Sequence, residues 1–347
     1  MTKRGVARLA GSNVPRRSVA SEIATILDSP EVAALVAELD ALRWVGRKGY
    51  GARTMLGACL VKTLYAIPTW TRTADLIAEH PGLEAALGGA PSHWACYRFA
   101  RKLRAEREVL AGCLDALVAA LRERHPDLGR EVAIDASDIP AYANGQRYIY
   151  DGGPERQRYS DPDASWGHRS AVSTRKGGGF YGFKIHAAVD TKTGLPLAWQ
   201  VETARHHESK YVAALLDKLD ARGFRPETCA LDKGYDSERV HAECEAHGVH
   251  PVIPIKGAKT VTVQIALGIE TNPTRTNPFI SRHTDEWRRL YRGRSAVERE
   301  FGRLKHTYGL AMLRVRGIER VRLHADLTIL GRLALELARA RAVPVAA

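Results

Sequence analysis

The sequence has no apolar run approaching the roughly 20 residues that a membrane-spanning helix needs. It also has no apolar region near its N-terminus of the kind that a signal peptide carries. These absences argue against a protein that crosses a membrane, or is exported through one, by means of an apolar helix. We therefore expect a cytoplasmic protein without a membrane partner.

Closely spaced cysteines are also missing. The five cysteines are an odd number, lie far apart and form no CxxC pair. Disulfide frameworks and zinc sites both need cysteines in pairs or clusters, so neither is expected here. We predict that the cysteines are small buried side chains in a reducing compartment: Cys59, Cys96, Cys113, Cys229 and Cys244.

Acidic residues are too few to balance the basic ones. The chain has 52 Lys and Arg against 39 Asp and Glu, which gives a net charge of +13 and a pI near 9.7. A surplus of this size indicates a polyanionic partner, most simply nucleic acid. An anionic membrane surface is the competing partner, but no single basic amphipathic helix carries the charge.

The hydrophobic pattern divides the chain into two parts. Residues 29–124 have helical periodicity throughout and begin with Ser-Pro, which is a typical helix start. The later residues alternate short β-rich runs with helical runs, a pattern typical of a mixed sheet flanked by helices. The sequence therefore predicts a helical region at 1–126 and an α/β domain at 127–347.

A long polar stretch at 141–179 interrupts the α/β pattern. It carries six basic residues and is too long for an ordinary connection between elements. Its composition offers few residues that could form a core. We predict a flexible basic loop that becomes ordered on nucleic acid.

The segment SHWACYRFARKLR at 92–104 is a candidate recognition helix for nucleic acid. Its aromatic side chains are expected to pack into the core, while its basic side chains face the nucleic acid. The aromatic residues are Trp94, Tyr97 and Phe99, and the basic residues are Arg98, Arg101, Lys102 and Arg104.

Two predicted strands carry an aspartate at or near their ends. Asp135 lies in AIDAS and Asp232 ends CALD. An aspartate in an apolar strand is unfavourable to bury without a partner. Ligands of open α/β sheets bind at the carboxyl ends of the strands, which favours a functional role for Asp232 in particular. The alternative is that each side chain caps the turn after its strand.

The stretch YRGRSAVEREFGRLK at 291–305 is predicted as one helix, because it has no proline and many strong helix formers. At about 100° per residue, an apolar row and a charged row run side by side along it. The apolar row contains Val297, Phe301, Leu304 and Tyr308, and the other row contains Tyr291, Arg294, Glu298 and Lys305. The alternative interpretation of the charged row is a solvated edge of ion pairs such as Arg294 with Glu298.

Asp135, Asp232 and Glu298 place three carboxylates on three separate elements. If these side chains converge, they form a site for hard divalent cations, because carboxylate oxygens are the ligands that Mg²⁺ and Mn²⁺ prefer. Two such ions stabilise the attacking and leaving oxygens of an in-line phosphoryl transfer. The pattern therefore predicts a metal-dependent phosphoryl-transfer site with Glu298 partly buried.

Three further residues of the 291–305 stretch are candidates for contact with DNA. Arg294 offers a planar two-pronged donor and Lys305 a point charge, so both are expected to contact phosphates beside the reacting one. Tyr291 is expected to donate a hydrogen bond to a phosphate or to stack on a base.

Four motifs carry a resemblance to bacterial insertion-sequence DDE transposases of the insertion-sequence four and five type. YRGRSAVEREFGRLK resembles the family's Y-(2)-R-(3)-E-(6)-K signature. LDKGYDSE resembles the segment around the family's second catalytic Asp, and AIDAS resembles the segment around the first. SDPDASWG and FYGFKIHAAVD are similar to segments of the second strand and its approach, and all of these occur in the family's order within 130–335.

The resemblance implies a ribonuclease H-like catalytic domain preceded by an all-helical DNA-binding region. It implies catalytic and metal-binding roles for Asp135, Asp232 and Glu298 with two Mg²⁺ or Mn²⁺ ions per site. The implied activity is cleavage at insertion-sequence ends and strand transfer into target DNA. The implied partner is double-stranded DNA, bound by a homodimer in the bacterial cytoplasm and associated with the nucleoid.

The sequence departs from the family in two places. Only 65 residues separate Asp232 from Glu298, which leaves no room for the large β insertion of many relatives of the four type. His207-Glu208 stands where relatives often have a His-Asp pair, and we assign it no role. Two alternative functions remain open: a metal-dependent DNA nuclease or resolvase without strand transfer, and a catalytically silent DNA-binding regulator.

Overall fold

The computed structural model describes residues 18–42, 49–145, 160–169, 176–256, 275 and 278–342. Seven helices come first in this part of the chain. Several of them begin at a serine or threonine whose hydroxyl accepts a backbone N–H, which satisfies a free donor of the first turn. The helices are α1 (Val19–Leu27), α2 (Pro30–Ala41), α3 (Ala52–Leu64), α4 (Trp70–Glu79), α5 (Pro81–Leu87), α6 (His93–Ala105) and α7 (Arg107–Arg124).

A mixed sheet follows these helices and confirms the predicted α/β architecture. Its strands are β1 (Glu131–Pro140), β2 (Ser165–Arg169), β3 (Gly178–Asp190), β4 (Pro196–Thr203), β5 (Thr228–Ala230) and β6 (His250–Val252). Their order is β2–β3–β1–β5–β6, and β4 also pairs with β3. β3 runs antiparallel to β1, β2 and β4, whereas β5 and β6 run parallel to β1.

The remaining helices lie between and after the later strands. They are α8 (Val212–Ala221), α9 (Glu238–Ala246), α10 (Asp285–Arg292), α11 (Ser295–His306) and α12 (Ile318–Ala342). Two short 3₁₀ turns are named here by one residue each: the Glu208 turn (Glu208–Tyr211) and the Tyr235 turn (Lys233–Tyr235). α8 packs on β3 and β4, while α11 packs on β1 and β3.

The long helix α12 joins the N-terminal helices to the sheet. It packs against α1, α3, α6, α7 and β4, and one cluster of buried apolar side chains includes all of them. All five cysteines are buried and unpaired, as predicted. Within the described ranges, no helix has the length and apolarity needed to cross a membrane. The predicted boundary after residue 126 falls between α7 and β1, and separate domains stay a prediction.

Part of the predicted flexible loop at 141–179 is regular structure. Ser165–Arg169 form β2, which pairs with β3 from Gly182 to Gly178. The sequence did not reveal this strand, because Trp166 and His168 are exposed and the other three residues are only half buried, which leaves little hydrophobic pattern. Residues 146–159 and 170–175 of the predicted loop lie outside the described residues.

The single helix predicted at 291–305 is interrupted between α10 and α11. The N–H groups of Gly293 and Arg294 bond to carbonyls three residues back instead of four, which tightens the chain there. A Cβ at Gly293 would lie only 3.1 Å from the side chain of Thr191, so the missing side chain permits this approach. Tyr291 therefore belongs to α10, while Arg294 precedes the first residue of α11.

The apolar row of α11 is buried as the sequence predicted, and a buried ion network lies beside it. Glu300 is 0% exposed and accepts a hydrogen bond from Arg332 of α12 at 3.0 Å. Arg303 also pairs with Glu300, and Glu336 accepts from Arg332 at 2.7 Å. A buried carboxylate needs such partners, so this network fixes α11 against α12.

We expect Arg332→Met to lower the free energy of unfolding by about 3–5 kcal/mol, because it leaves the Glu300 carboxylate buried without its main partner. Arg339→Met on the same helix is the matched control. Arg339 is exposed and pairs with Glu22 at 3.4 Å, so its loss should cost about 0.5 kcal/mol or less. Urea unfolding followed by circular dichroism measures both variants, and equal losses would show that the buried network does not hold the two helices.

Candidate active site

Parallel pairing of β1 with β5 aligns two aspartates at one edge of the sheet. The register pairs Ala133 with Ala230. Two residues further along come Asp135, which lies in the middle of β1 and not near its end as the sequence predicted, and Asp232, which lies just after β5. The carboxyl end of β5 is where parallel strands of an open sheet present ligand sites. The structure therefore brings these two carboxylates together.

The Asp232 side chain also begins the Tyr235 turn. Its Oδ1 accepts a hydrogen bond from the N–H of Gly234 at 2.6 Å. A Cβ at Gly234 would lie 2.9 Å from this oxygen, so glycine permits the close contact. The capping role that the sequence left as an alternative is thus present. Within the described residues, this cap uses only Oδ1 of the Asp232 carboxylate.

Burial and like charge act together on Asp135. The pKa of Asp135 is raised to about 7, chiefly by burial, and the charges of Asp232 and Glu208 contribute to this rise. The N–H of Ala136, which donates to Oδ1 at 2.8 Å, and the guanidinium of Arg294 oppose this shift. The nearby positive charge is therefore too small to offset burial and the repulsion between the carboxylates at this edge.

Arg294 connects the aspartate pair to Glu298. Its guanidinium donates to Oδ2 of Asp135 at 3.3 Å and to Oε1 of Glu298 at 2.7 Å. The ion pair with Glu298 that the sequence offered as the alternative is present, but Arg294 also reaches the buried Asp135. The Glu298 side chain is 54% exposed, more than the sequence analysis expected, because it lies on the open side of α11.

Two of the three carboxylates, Asp135 and Glu298, pair with the Arg294 guanidinium, and Asp232 lies near Asp135. Among the described residues, no three His, Cys, Asp or Glu side chains are spaced to hold a metal ion. The donor atoms themselves are the hard oxygens that Mg²⁺ and Mn²⁺ prefer. The charge deficit at Asp135 is also one that a divalent cation would relieve, so the residues present fit such an ion.

Lys305 of α11 lies beside Asp138, three residues further along β1 than Asp135. Its Nζ contacts Oδ1 of Asp138 at 3.1 Å, and Arg169 of β2 contacts the other oxygen at 3.2 Å. All three side chains are largely buried. The buried Asp138 carboxylate needs cationic partners, and Lys305 and Arg169 supply them. Lys305 is therefore engaged in the fold three residues beyond Asp135.

Tyr291 shields the other side of Arg294. Its ring stacks on Trp287 of α10 with centroids 5.1 Å apart, and the Arg294 guanidinium lies 6.0 Å from its centroid. An aromatic face at this distance attracts a cation. Tyr291 thus positions Arg294 in this structure.

The candidate recognition helix α6 differs from its prediction in three side chains. Trp94 is 65% exposed and Tyr97 is also exposed, so neither is a core residue, whereas Phe99 is buried as expected. Lys102 donates to the carbonyl of Leu39 at 2.5 Å and therefore belongs to the packing of the helices. Aromatic residues at helical spacing look alike in sequence whether they face the core or solvent.

A groove rich in arginine lies where α6 meets the segments after β1 and before α12. It has a volume of about 580 Å³, and Tyr97 and Tyr142 line it. Arg314 and Arg316 lie over the Tyr142 ring, 5.0 and 5.6 Å from its centroid. No ion pair to a carboxylate is found for its arginines within the described ranges. We call this the arginine groove, with Arg101, Arg104, Arg314, Arg316 and Arg320.

Neighbouring positive charges act on Arg104 of this groove. Burial lowers the pKa of Arg104, and the neighbouring charges of Arg320 and Arg101 lower it further. Crowded cations without acidic partners indicate a surface that binds an anion.

A comparison with protein families finds one match. The family model described as the transposase DDE domain matches residues 126–332, which is more than half of the chain. Asp135, Asp232 and Glu298 all lie inside the matched range. No curated protein matches the chain.

We expect Asp135→Asn to stabilise the metal-free protein at high pH but not at low pH. The folded-state pKa near 7 lies above the value near 4 of an unfolded chain. Between these pH values the unfolded chain ionises while the folded protein keeps the proton, so the free energy of unfolding falls as the pH rises from about 4 to about 7. Removing the acid should therefore gain up to about 4 kcal/mol above pH 7, and the gain should vanish below about pH 4.

Chemical unfolding in a chelating buffer across this pH range measures the effect. Asp127→Asn is the control, because Asp127 is exposed and pairs with Lys192 at the surface. A gain that is the same at every pH would mean that Asp135 does not titrate as a buried acid.

Proposed function

Because the chain belongs to the transposase DDE domain family, we propose that it cleaves DNA at the ends of an insertion sequence and transfers the cut strands into target DNA. The observation that carries the proposal is the alignment of Asp135 on β1 with Asp232 just after the parallel strand β5, with Glu298 linked to Asp135 through Arg294. In this proposal the protein works as a homodimer on double-stranded DNA, in the bacterial cytoplasm and at the nucleoid.

The sheet supports a ribonuclease H-like catalytic domain. In the path β4–β3–β1–β5–β6, the first two strands alternate in direction and the last two run parallel to the central β1. The two aspartates lie on or just after the two central parallel strands. This arrangement is the one that the resemblance of the sequence implies.

Asp135, Asp232 and Glu298 would hold the two Mg²⁺ or Mn²⁺ ions of this site. When bound, such ions stabilise the attacking and leaving oxygens of an in-line phosphoryl transfer. The residues of the chain contribute the carboxylate oxygens and exclude water from the buried side of Asp135. Arg294 is then free to leave Asp135, and its two-pronged donor geometry suits a DNA phosphate.

The arginine groove provides the most direct path for the DNA. Tyr142 comes seven residues after Asp135, so the groove lies at most about 25 Å from the carboxylates along the chain. At about 3.4 Å per base step, this distance corresponds to roughly seven base pairs. One duplex can therefore contact both the carboxylates and the groove within a single helical turn.

We expect purified protein, Mg²⁺ and the DNA that flanks its own gene to yield cleaved ends and joined products. Asp135→Asn and Asp232→Asn should each abolish both products and leave DNA binding nearly intact, because they remove cation ligands but not the basic surface. Gel analysis of labelled DNA measures cleavage and joining, with Asp127→Asn as the control.

The outcomes separate the candidate functions. Ends that are released and never joined would replace the transposase with a nuclease or resolvase. Cleavage that survives in either aspartate variant would remove that residue from the active site.

Salt dependence tests the proposed DNA path. Each neutralised phosphate adds about 0.9 to the slope of log K against log salt on duplex DNA. The double variant Arg314→Ala/Arg316→Ala should therefore lower the slope by about 2 relative to the wild type. Fluorescence anisotropy with a duplex from the flanking DNA measures the slope.

The control is Arg288→Ala, which removes an exposed arginine already paired with Asp285. It should leave the slope nearly unchanged. An equal change in the double variant and the control would place the DNA elsewhere on the protein.

A further inference from the structure

Glu208 lies at the same sheet edge as the aspartate pair, although the sequence alone gave it no role. It begins the Glu208 turn after β4, and this turn packs against the Tyr235 turn that follows Asp232. Its charge also contributes to the raised pKa of Asp135. Glu208 is thus a neighbour of both aspartates, while Glu298 reaches them only through Arg294.

Lys184 holds Glu208 in this position through one oxygen. The Lys184 Nζ lies 2.6 Å from Oε1 of Glu208, and Lys184 is buried on β3, opposite Asp138 of β1. His207 supports the turn by accepting from the N–H of Ser209. Oε2 of Glu208 has no hydrogen-bond partner in the described part of the chain. One half of the carboxylate is therefore fixed and the other half is open to a ligand.

Tyr235 provides a second and independent sign of a ligand at this point. It is 1% exposed, and its hydroxyl has no hydrogen-bond partner among the described residues. The charges of Asp135, Glu208 and Asp232 all raise its pKa beyond the effect of burial, so the hydroxyl lies among these three carboxylates. A buried hydroxyl without a hydrogen-bond partner costs about 1–3 kcal/mol. A ligand that rearranges the carboxylates would bring one of them within hydrogen-bond distance of this hydroxyl.

We propose that Glu208 is a fourth carboxylate of the site. The side chains of Glu208, Asp135 and Asp232 are not spaced to hold a metal ion as they stand, and they turn toward a divalent cation to bind it before DNA arrives. The inference builds on the proposed cleavage site and assigns separate tasks to two glutamates. Glu208 contributes to the cation affinity of the free protein. Glu298 contributes after Arg294 has turned from Asp135 and Glu298 to a DNA phosphate. Tyr235 is a positioning residue whose hydroxyl donates to one of the cation-bound carboxylates.

Cation binding by the DNA-free, full-length protein tests this division. Isothermal titration with Mn²⁺ should show that Glu208→Gln weakens binding at least about tenfold, while Glu298→Gln changes it by less than about twofold. Glu208→Asp keeps the charge and should restore part of the affinity. Glu227→Gln is the matched control, since Glu227 pairs with Arg130 just before the start of β5, at the end opposite to Asp232.

Lys184→Gln separates a cation ligand from a purely structural ion pair. If Lys184 and Glu208 only stabilise the fold, Glu208→Gln and Lys184→Gln should both be less stable than the wild type, and their Mn²⁺ affinities should change in the same direction. If Glu208 binds the cation, removing the competing Lys184 charge should keep or tighten Mn²⁺ binding, opposite in sign to Glu208→Gln. This comparison also holds if Glu208→Gln proves too unstable, because Glu208→Asp and Lys184→Gln then carry the test.

Terbium(III) gives a readout that does not involve DNA. It prefers oxygen ligands, and its emission is sensitised by a tyrosine close to the bound ion. The wild type should emit on excitation of tyrosine, and Tyr235→Phe should lose most of this emission while Mn²⁺ affinity changes by less than about tenfold. Undiminished emission from Tyr235→Phe would place the ion away from Tyr235 and overturn the proposal.

The proposed cation site and the proposed transposase function can fail independently, and the experiments tell the two failures apart. If Glu208→Gln and Glu227→Gln both bind Mn²⁺ as the wild type does, Glu208 is not a ligand, even if the wild type cleaves and joins DNA. If the Glu208 and Tyr235 results are as expected but no DNA product forms, the cation site stands and the transposase function fails.

Discussion

Repulsion between the carboxylate of Asp135, in the middle of β1, and that of Asp232, just after β5, is the constraint on which the site depends. The parallel register puts Asp135 and Asp232 side by side, and burial removes the water that would otherwise screen them. The surrounding structure supplies positive charge at this edge: Arg294 pairs with Asp135, and Lys184 pairs with the nearby Glu208. In the proposed function, a divalent cation takes the place of the guanidinium at this edge.

The position of Arg294 in turn depends on packing far from the carboxylates. α11 follows directly after Arg294, and its apolar row is buried against the sheet. The Glu300–Arg332 pair then fixes α11 to α12, which itself packs on the N-terminal helices. The same helix therefore connects the carboxylates with the region that contains α6 and the arginine groove. A duplex bound along this path would contact both parts of the molecule.

The sequence predicted those features of the site that follow from local pattern. Asp135 and Asp232 were found because apolar runs preceded or surrounded them, and the apolar row of α11 was found from its 3.6-residue period. The interruption at Gly293 was missed, because one glycine is outweighed by strong helix formers, and its contact with Thr191 exists only in the fold. Glu208 was missed because its neighbours come from strands distant in sequence. Exposure of Trp94 was missed because spacing does not tell which face of α6 meets solvent.

The most direct measurement is a crystal structure of the protein with Mn²⁺ and a DNA end, with the ions located by their anomalous signal. The account predicts an ion between the carboxylates of Asp135 and Asp232, with Arg294 moved from Asp135 to a DNA phosphate. An ion found elsewhere, or Arg294 still paired with Asp135 while the DNA is in place, would contradict the claim that this edge of the sheet is a cation-dependent active site.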